Sequence, residues 1–168
     1  MLKKILAIID AISEKTGKLF SFIIIPVAAL EAVEVILRYV FDSPTDWSWE
    51  LAAILSGAMF ITGGAWVLKE DKHVRTDIFY GKFSRKVQAY LDVFFFTTIF
   101  FSFVSVLSWK SINNAIYSVS IHERTFSMWA PPLYPLKIII AYSFVLFGLQ
   151  GIAKWIRDLY YIIKGEEL

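Results

Sequence analysis

LFSFIIIPVAALEAVEVILRYVF, residues 19–41, is the stretch on which the reading of the whole chain turns. Glu31, Glu34 and Arg38 are its only charged residues, and nothing in it alternates as a half-buried strand would. Crossing the hydrocarbon of a bilayer takes about 20 mostly apolar helical residues. Backbone groups in lipid must be satisfied within the segment, so the expectation is a transmembrane helix.

Outward from this run, three more stretches match it, at about 47–68, 87–109 and 133–155; apolar character in the third of the four continues towards Tyr117. Charged residues make up only 19% of the chain, against about a quarter in soluble domains, and hydrophobic residues 57%, so the membrane class is favoured. The chain has no cysteine, which excludes disulfides, thiolate metal sites and cysteine nucleophiles. Behind Lys3 and Lys4, Asp10 interrupts the apolar stretch too early for the core of a signal peptide. Residues 1–16 read instead as an amphipathic helix at the membrane surface, with Leu2, Ile5, Leu6, Ile9 and Ile12 on one face. Val74, Ile78, Phe79 and Phe83 suggest a second interfacial helix over 74–86. The expected architecture is therefore an all-α membrane protein: one integral membrane domain over 1–168, four transmembrane helices and two interfacial amphipathic helices.

Orientation follows from the basic residues. Lys3, Lys4, Lys15 and Lys18 precede the first span, six more lie at 69–86, and Lys154, Arg157 and Lys164 close the chain. The turn at 42–46 has none, and the other outer segment, 110–132, has only Lys110 and Arg124. Both termini of this multi-pass membrane protein are expected in the cytoplasm. Tryptophans agree: Trp47, Trp49, Trp109 and Trp129 fall at expected outer ends, and Trp66 and Trp155 at inner ends.

The sharpest chemical feature is Glu31, Glu34 and Arg38, at i, i+3 and i+7 along one helix face. Glu31 lies about 18 Å from Lys18 along the axis, near mid-membrane, where a charge costs at least about 2.5–3.5 kcal/mol. Two readings stand: a proton or ion site, and a polar seam between helices in which Arg38 compensates the carboxylates or snorkels towards Asp42 or Asp46. In the second span Ala52, Ser56, Met59 and Gly63 follow one face and Ala53, Gly57 and Gly64 the next, so close packing is expected, inside the bundle or against another subunit. Glu50 sits near the helix N-terminus, where a carboxylate is favoured. Phe94, Phe95, Phe96, Phe100, Phe101 and Phe103 ring the third span, which suits lipid or an apolar partner. Asp92, inside the inner end of that span, is expected to pair with a nearby loop lysine or arginine. His73 and His122 fall on opposite sides of the membrane and cannot share a metal. No catalytic set, phosphate loop or metal spacing is visible, so neither enzyme chemistry nor a resident cofactor is expected.

Several segments taken together resemble a known family. Glu34-Val-Ile-Leu-Arg38-Tyr39-Val-Phe41 is followed by Trp47-Ser-Trp49-Glu50, then Gly63-Gly64-Ala65, His73-Val74-Arg75-Thr76-Asp77, Met128-Trp129-Ala130-Pro131-Pro132 and Tyr134-Pro135-Leu136-Lys137. In this order they resemble the small, DctQ-like membrane subunit of tripartite ATP-independent periplasmic (TRAP) transporters, over about residues 15–160. The resemblance implies a scaffold-like subunit of a sodium-coupled importer of small organic acids. Its partners would be a large elevator-type permease subunit, expected to hold the sodium, and a periplasmic substrate-binding protein; no nucleic acid is implied. Glu31, Glu34, Arg38, Glu50, Gly57, Gly64, His73 and Asp77 are the candidates for structural or subunit-interface positions. The alternative is a self-sufficient small proton-coupled exporter using Glu31 or Glu34.

Overall fold

The computed structural model describes residues 2–71 and 80–167. The fold is all helical: α1 Leu2–Ser21, α2 Ile24–Tyr39, α3 Ser48–Lys69, α4 Arg85–Phe95, a π-helical turn Phe96–Phe100, α5 Phe101–Ser120 and α6 Tyr134–Lys164. No strand occurs among the described residues. Four helical stretches are long and apolar enough to cross a membrane: Leu2–Tyr39, Ser48–Lys69, Arg85–Ser120 and Tyr134–Lys164. Most of the second interfacial helix expected at 74–86, with His73 and Asp77, lies outside the described residues; Gly81–Ser84 form a turn into α4.

The α3–α6 pair forms the centre of the bundle. α1 packs on both, α4 and α5 line α6, and α2 packs chiefly on α3. Lys69, Arg85 and Arg157 mark one end, here the basic end; the α2–α3 and α5–α6 connections mark the far end. α6 starts with Pro135 in its first turn, where a missing N–H costs nothing, and ends on Gly165 in the left-handed region (φ 74°).

The first span departs from the expected division into a surface helix 1–16 and a span 19–41. Helix continues through Ser21 and breaks at Phe22–Ile23. Pro26 accounts for the break: it has no N–H, and its ring excludes the carbonyl four residues earlier, that of Phe22. That carbonyl instead accepts the Ile25 N–H at 3.1 Å in a tighter turn.

α1 is also rotated from the expected face. Leu6, Ser13 and Gly17 are buried, while Ile5, Ile8, Ile12 and Leu19 point outwards. Polar groups on a membrane helix gain by facing the bundle, where donors exist, and apolar ones lose nothing by facing lipid. Gly17 permits the approach: a Cβ there would stand 2.7 Å from Trp66 Cβ and 2.9 Å from its Cε3. In a free helix Gly→Ala gains about 0.5–1 kcal/mol. Here overpacking, at about 1–3 kcal/mol, wins. Gly17→Ala should therefore lower the melting temperature of the detergent-solubilised chain, whereas Gly57→Ala, with nothing within 4 Å of its Cβ position, should not.

The third stretch runs to Ser120, beyond the expected end near Trp109. Its π turn carries Thr97 and Thr98, whose hydroxyls bond back to the carbonyls of Val93 (2.7 Å) and Phe94 (2.8 Å). The wider turn presents Thr97 Oγ1 to the Trp155 indole N–H at 3.0 Å. Phe100 packs against Phe147 and onto Gly151, where a Cβ would lie 2.1 Å from Phe100 Cε1. Phe100 thus belongs to the α5–α6 seam, while Phe94, Phe95 and Phe103 face outwards.

Candidate functional site

Two polar clusters tie the helices, one at each end. At the far end, Glu34 is the one fully buried residue of α2. Its carboxylate accepts hydrogen bonds from Arg38 Nη2 (2.7 Å) and Nε (3.2 Å), and from Thr45 Oγ1 (2.6 Å) and N–H (3.3 Å). Helical spacing puts Arg38 one turn above Glu34, on Oε1, and the 42–46 turn folds Thr45 back onto the other oxygen, Oε2. Arg38 turns towards Glu34 and not towards Asp42 or Asp46. A carboxylate held by four donors is a structural tie, which removes Glu34 from the role of mobile proton carrier. Glu31 is different: it is exposed and has no hydrogen bond or ion pair among the described residues. Glu50 accepts a hydrogen bond from Ser127 at 2.5 Å, which fastens the α5–α6 loop to the start of α3 beside the Trp47–Trp129 pair. In that loop, Lys137 beside Glu123 holds the Glu123 carboxyl below the usual carboxylate range. A depressed folded value means the tie is intact above the ordinary pKa and lost as pH falls through the folded one. Protection of the amides in 121–133, taken relative to their intrinsic exchange rates, should therefore fall below about pH 4.3.

At the basic end, Lys154 on α6 is the hub. Its Nζ lies 2.8 Å from Asp71, 3.2 Å from Asp92 and 3.4 Å from Asp158. Arg85 reaches the other oxygen of Asp158 at 2.9 Å and stacks over Tyr161. Asp10 of α1 takes Arg157 at 2.6 Å and the Gln150 amide at 2.9 Å, and Gln150 in turn accepts from Ser13 at 2.8 Å. Glu14 bonds Lys69 and Lys18. These groups join α1, α3, α4 and α6 through alternating charges, an arrangement suited to holding helices in register.

Of the candidates read from sequence, Glu34 and Arg38 come together. Gly64 packs loosely, 3.8 Å from Phe147, and Gly57 opens outwards. Missed in the sequence were Asp10, Gln150, Lys154 and Asp158, and the close-approach glycines Gly17 and Gly151. Lys154 and Asp158 at i, i+4, one turn beyond Gln150 in a mostly apolar helix, were the available signal.

The model of one protein family, described as "Tripartite ATP-independent periplasmic transporters, DctQ component", matches residues 27–160. The chain belongs to the DctQ family. No curated protein matches it. As a DctQ component it is a multi-pass membrane subunit of a transporter, a family not known for enzymatic activity. The match covers α2 to most of α6 and leaves α1 outside. Both the Glu34–Arg38–Thr45 tie and the Lys154 hub fall within the part this DctQ chain shares with its family.

Proposed function

We propose that the chain is the small, scaffold-like membrane subunit of a sodium-coupled TRAP importer of small organic acids. It pairs with a large elevator-type permease subunit, which holds the sodium and substrate sites, and works with a periplasmic substrate-binding protein. It lies in the bacterial inner membrane with both termini in the cytoplasm. The observation that carries the reading, beside the family, is how the ionisable groups are used. Glu34, Asp10, Asp92 and Asp158 are each engaged by a basic partner from this chain. Such ties make a stiff body, and a stator needs stiffness. The positive-inside distribution supports the orientation.

Reconstitution tests this directly. Proteoliposomes containing the chain, a large TRAP subunit co-expressed from the same genome and the soluble binding protein should take up labelled mono- or dicarboxylates under an inward sodium gradient. Uptake should vanish when any one component is left out. Proton-driven export by the chain alone would overturn the reading.

A further inference from the structure

The groove between the far ends of α2 and α3 holds a carboxylate, Glu31, that makes no hydrogen bond or ion pair among the described residues. Its volume is ≈ 300 Å³, and Glu31, Glu34, Arg38, Tyr39, Ser48 and Trp49 line it. Arg38 is committed to Glu34. The Glu31 charge reaches Arg38 only through space. Ser48, only 2% exposed, lines the same groove beside the Glu34 carboxylate.

Placement makes these groups hard to assign to lipid. The half-buried and buried positions of α2, Val27, Leu30, Glu34 and Leu37, form a stripe against α3. Glu31 stands beside that stripe, about 12 Å along the axis from Tyr39 at about 1.5 Å per residue. That depth is out of reach of headgroups at the helix end. The outward Val33 and Ile36 suit lipid, but a carboxylate there is costly and calls for a cation. On α3, Trp49, Ala53 and Gly57 are exposed at successive i+4 positions, and the space over Gly57 is open. Small residues on a membrane helix let another helix approach closely. A second copy of this chain fits poorly, because a two-fold contact on this face would set Glu31 against Glu31.

Resting on the function proposed above, the geometry points to the α2–α3 groove as the seat of one transmembrane helix of the large subunit. That helix lies over Ala53 and Gly57 and pairs an arginine or lysine with Glu31. Glu31 is then an interface residue, and Glu34, three positions on, an internal one.

The test is affinity recovery of the complex in detergent, with the tagged chain co-expressed with the large subunit, alongside the melting temperature of the chain alone. Glu31→Lys and Gly57→Leu should each cut recovery by at least about tenfold. Val33→Leu, on the opposite face of α2, should leave it unchanged. None of the three should lower the melting temperature of the chain alone. A wild-type complex recovered equally well with Glu31→Lys and Gly57→Leu would overturn this inference and leave the scaffold reading standing. So would a Glu31→Lys chain that is destabilised by itself, since Glu31 would then act internally. Failure of the wild-type chain to bring down the large subunit would sink both.

Discussion

Lys154→Met should be the most damaging single substitution in the chain. Its side chain is 12% exposed, and removing the ammonium takes a cation from the buried carboxylates of Asp92 (10%) and Asp158 (2%), the second keeping Arg85 alone. Breaking a buried ion pair by deleting one partner costs about 3–5 kcal/mol, mostly the penalty of the stranded charge. Against a total stability of about 5–15 kcal/mol that is a large share. Tryptophan-monitored melting in detergent should show a strong loss of stability, together with reduced yield. The sign of the explanation can be checked by a rescue: adding Asp92→Asn to Lys154→Met removes a stranded charge, leaves the Arg85–Asp158 pair in place and should recover part of the loss. If the double variant were no better than the single one, methionine packing and not charge would be the cause.

Arg38→Ala comes second. Glu34 would keep the hydroxyl and N–H of Thr45 but lose both guanidinium bonds. Because the Arg38 side chain is 50% exposed, solvent screens the pair, and the expected loss is well below that of a fully buried pair. The effect should be local, loosening α2 and the 42–46 turn. Hydrogen exchange there should rise while α6 stays protected. Recovery of the complex with the large subunit, or sodium-driven uptake, should fall with it. Glu34→Gln combined with Arg38→Ala should behave better than Arg38→Ala alone. Unchanged exchange at 40–46 in the single variant would rule the tie out as a fastening.

What could be read from sequence and what could not divide along a physical line. Spans depend on composition over a window, and the Glu34–Arg38 pair on helical spacing, so both were readable. The break at Phe22–Ile23 had its signal in Pro26, four residues on, yet the apolar run drew the boundary elsewhere. Thr45 was unreadable as a Glu34 donor because the turn conformation decides it. The same holds for the Lys154 hub, whose acids Asp71, Asp92 and Asp158 sit on separate segments or one turn away. Nothing in the spacing tells which helix ends meet. Small residues were visible as a stripe on α3, but close approach needs a bulky neighbour as well. Trp66 supplies it for Gly17 and Phe100 for Gly151, while Gly57 waits for a neighbour from elsewhere.

The polar groups of α1 look across nearly the whole length of the chain: Ser13 to Gln150 over 137 positions, and Asp10 to Arg157 over 147. During synthesis Asp10 and Ser13 therefore stay without these partners until α6 has been made. Contacts of such long reach form late, after the loop entropy between them has been spent. A ribosome-stalled fragment ending before Gln150 would display Asp10 and Ser13 bare to the quality-control proteases of the membrane.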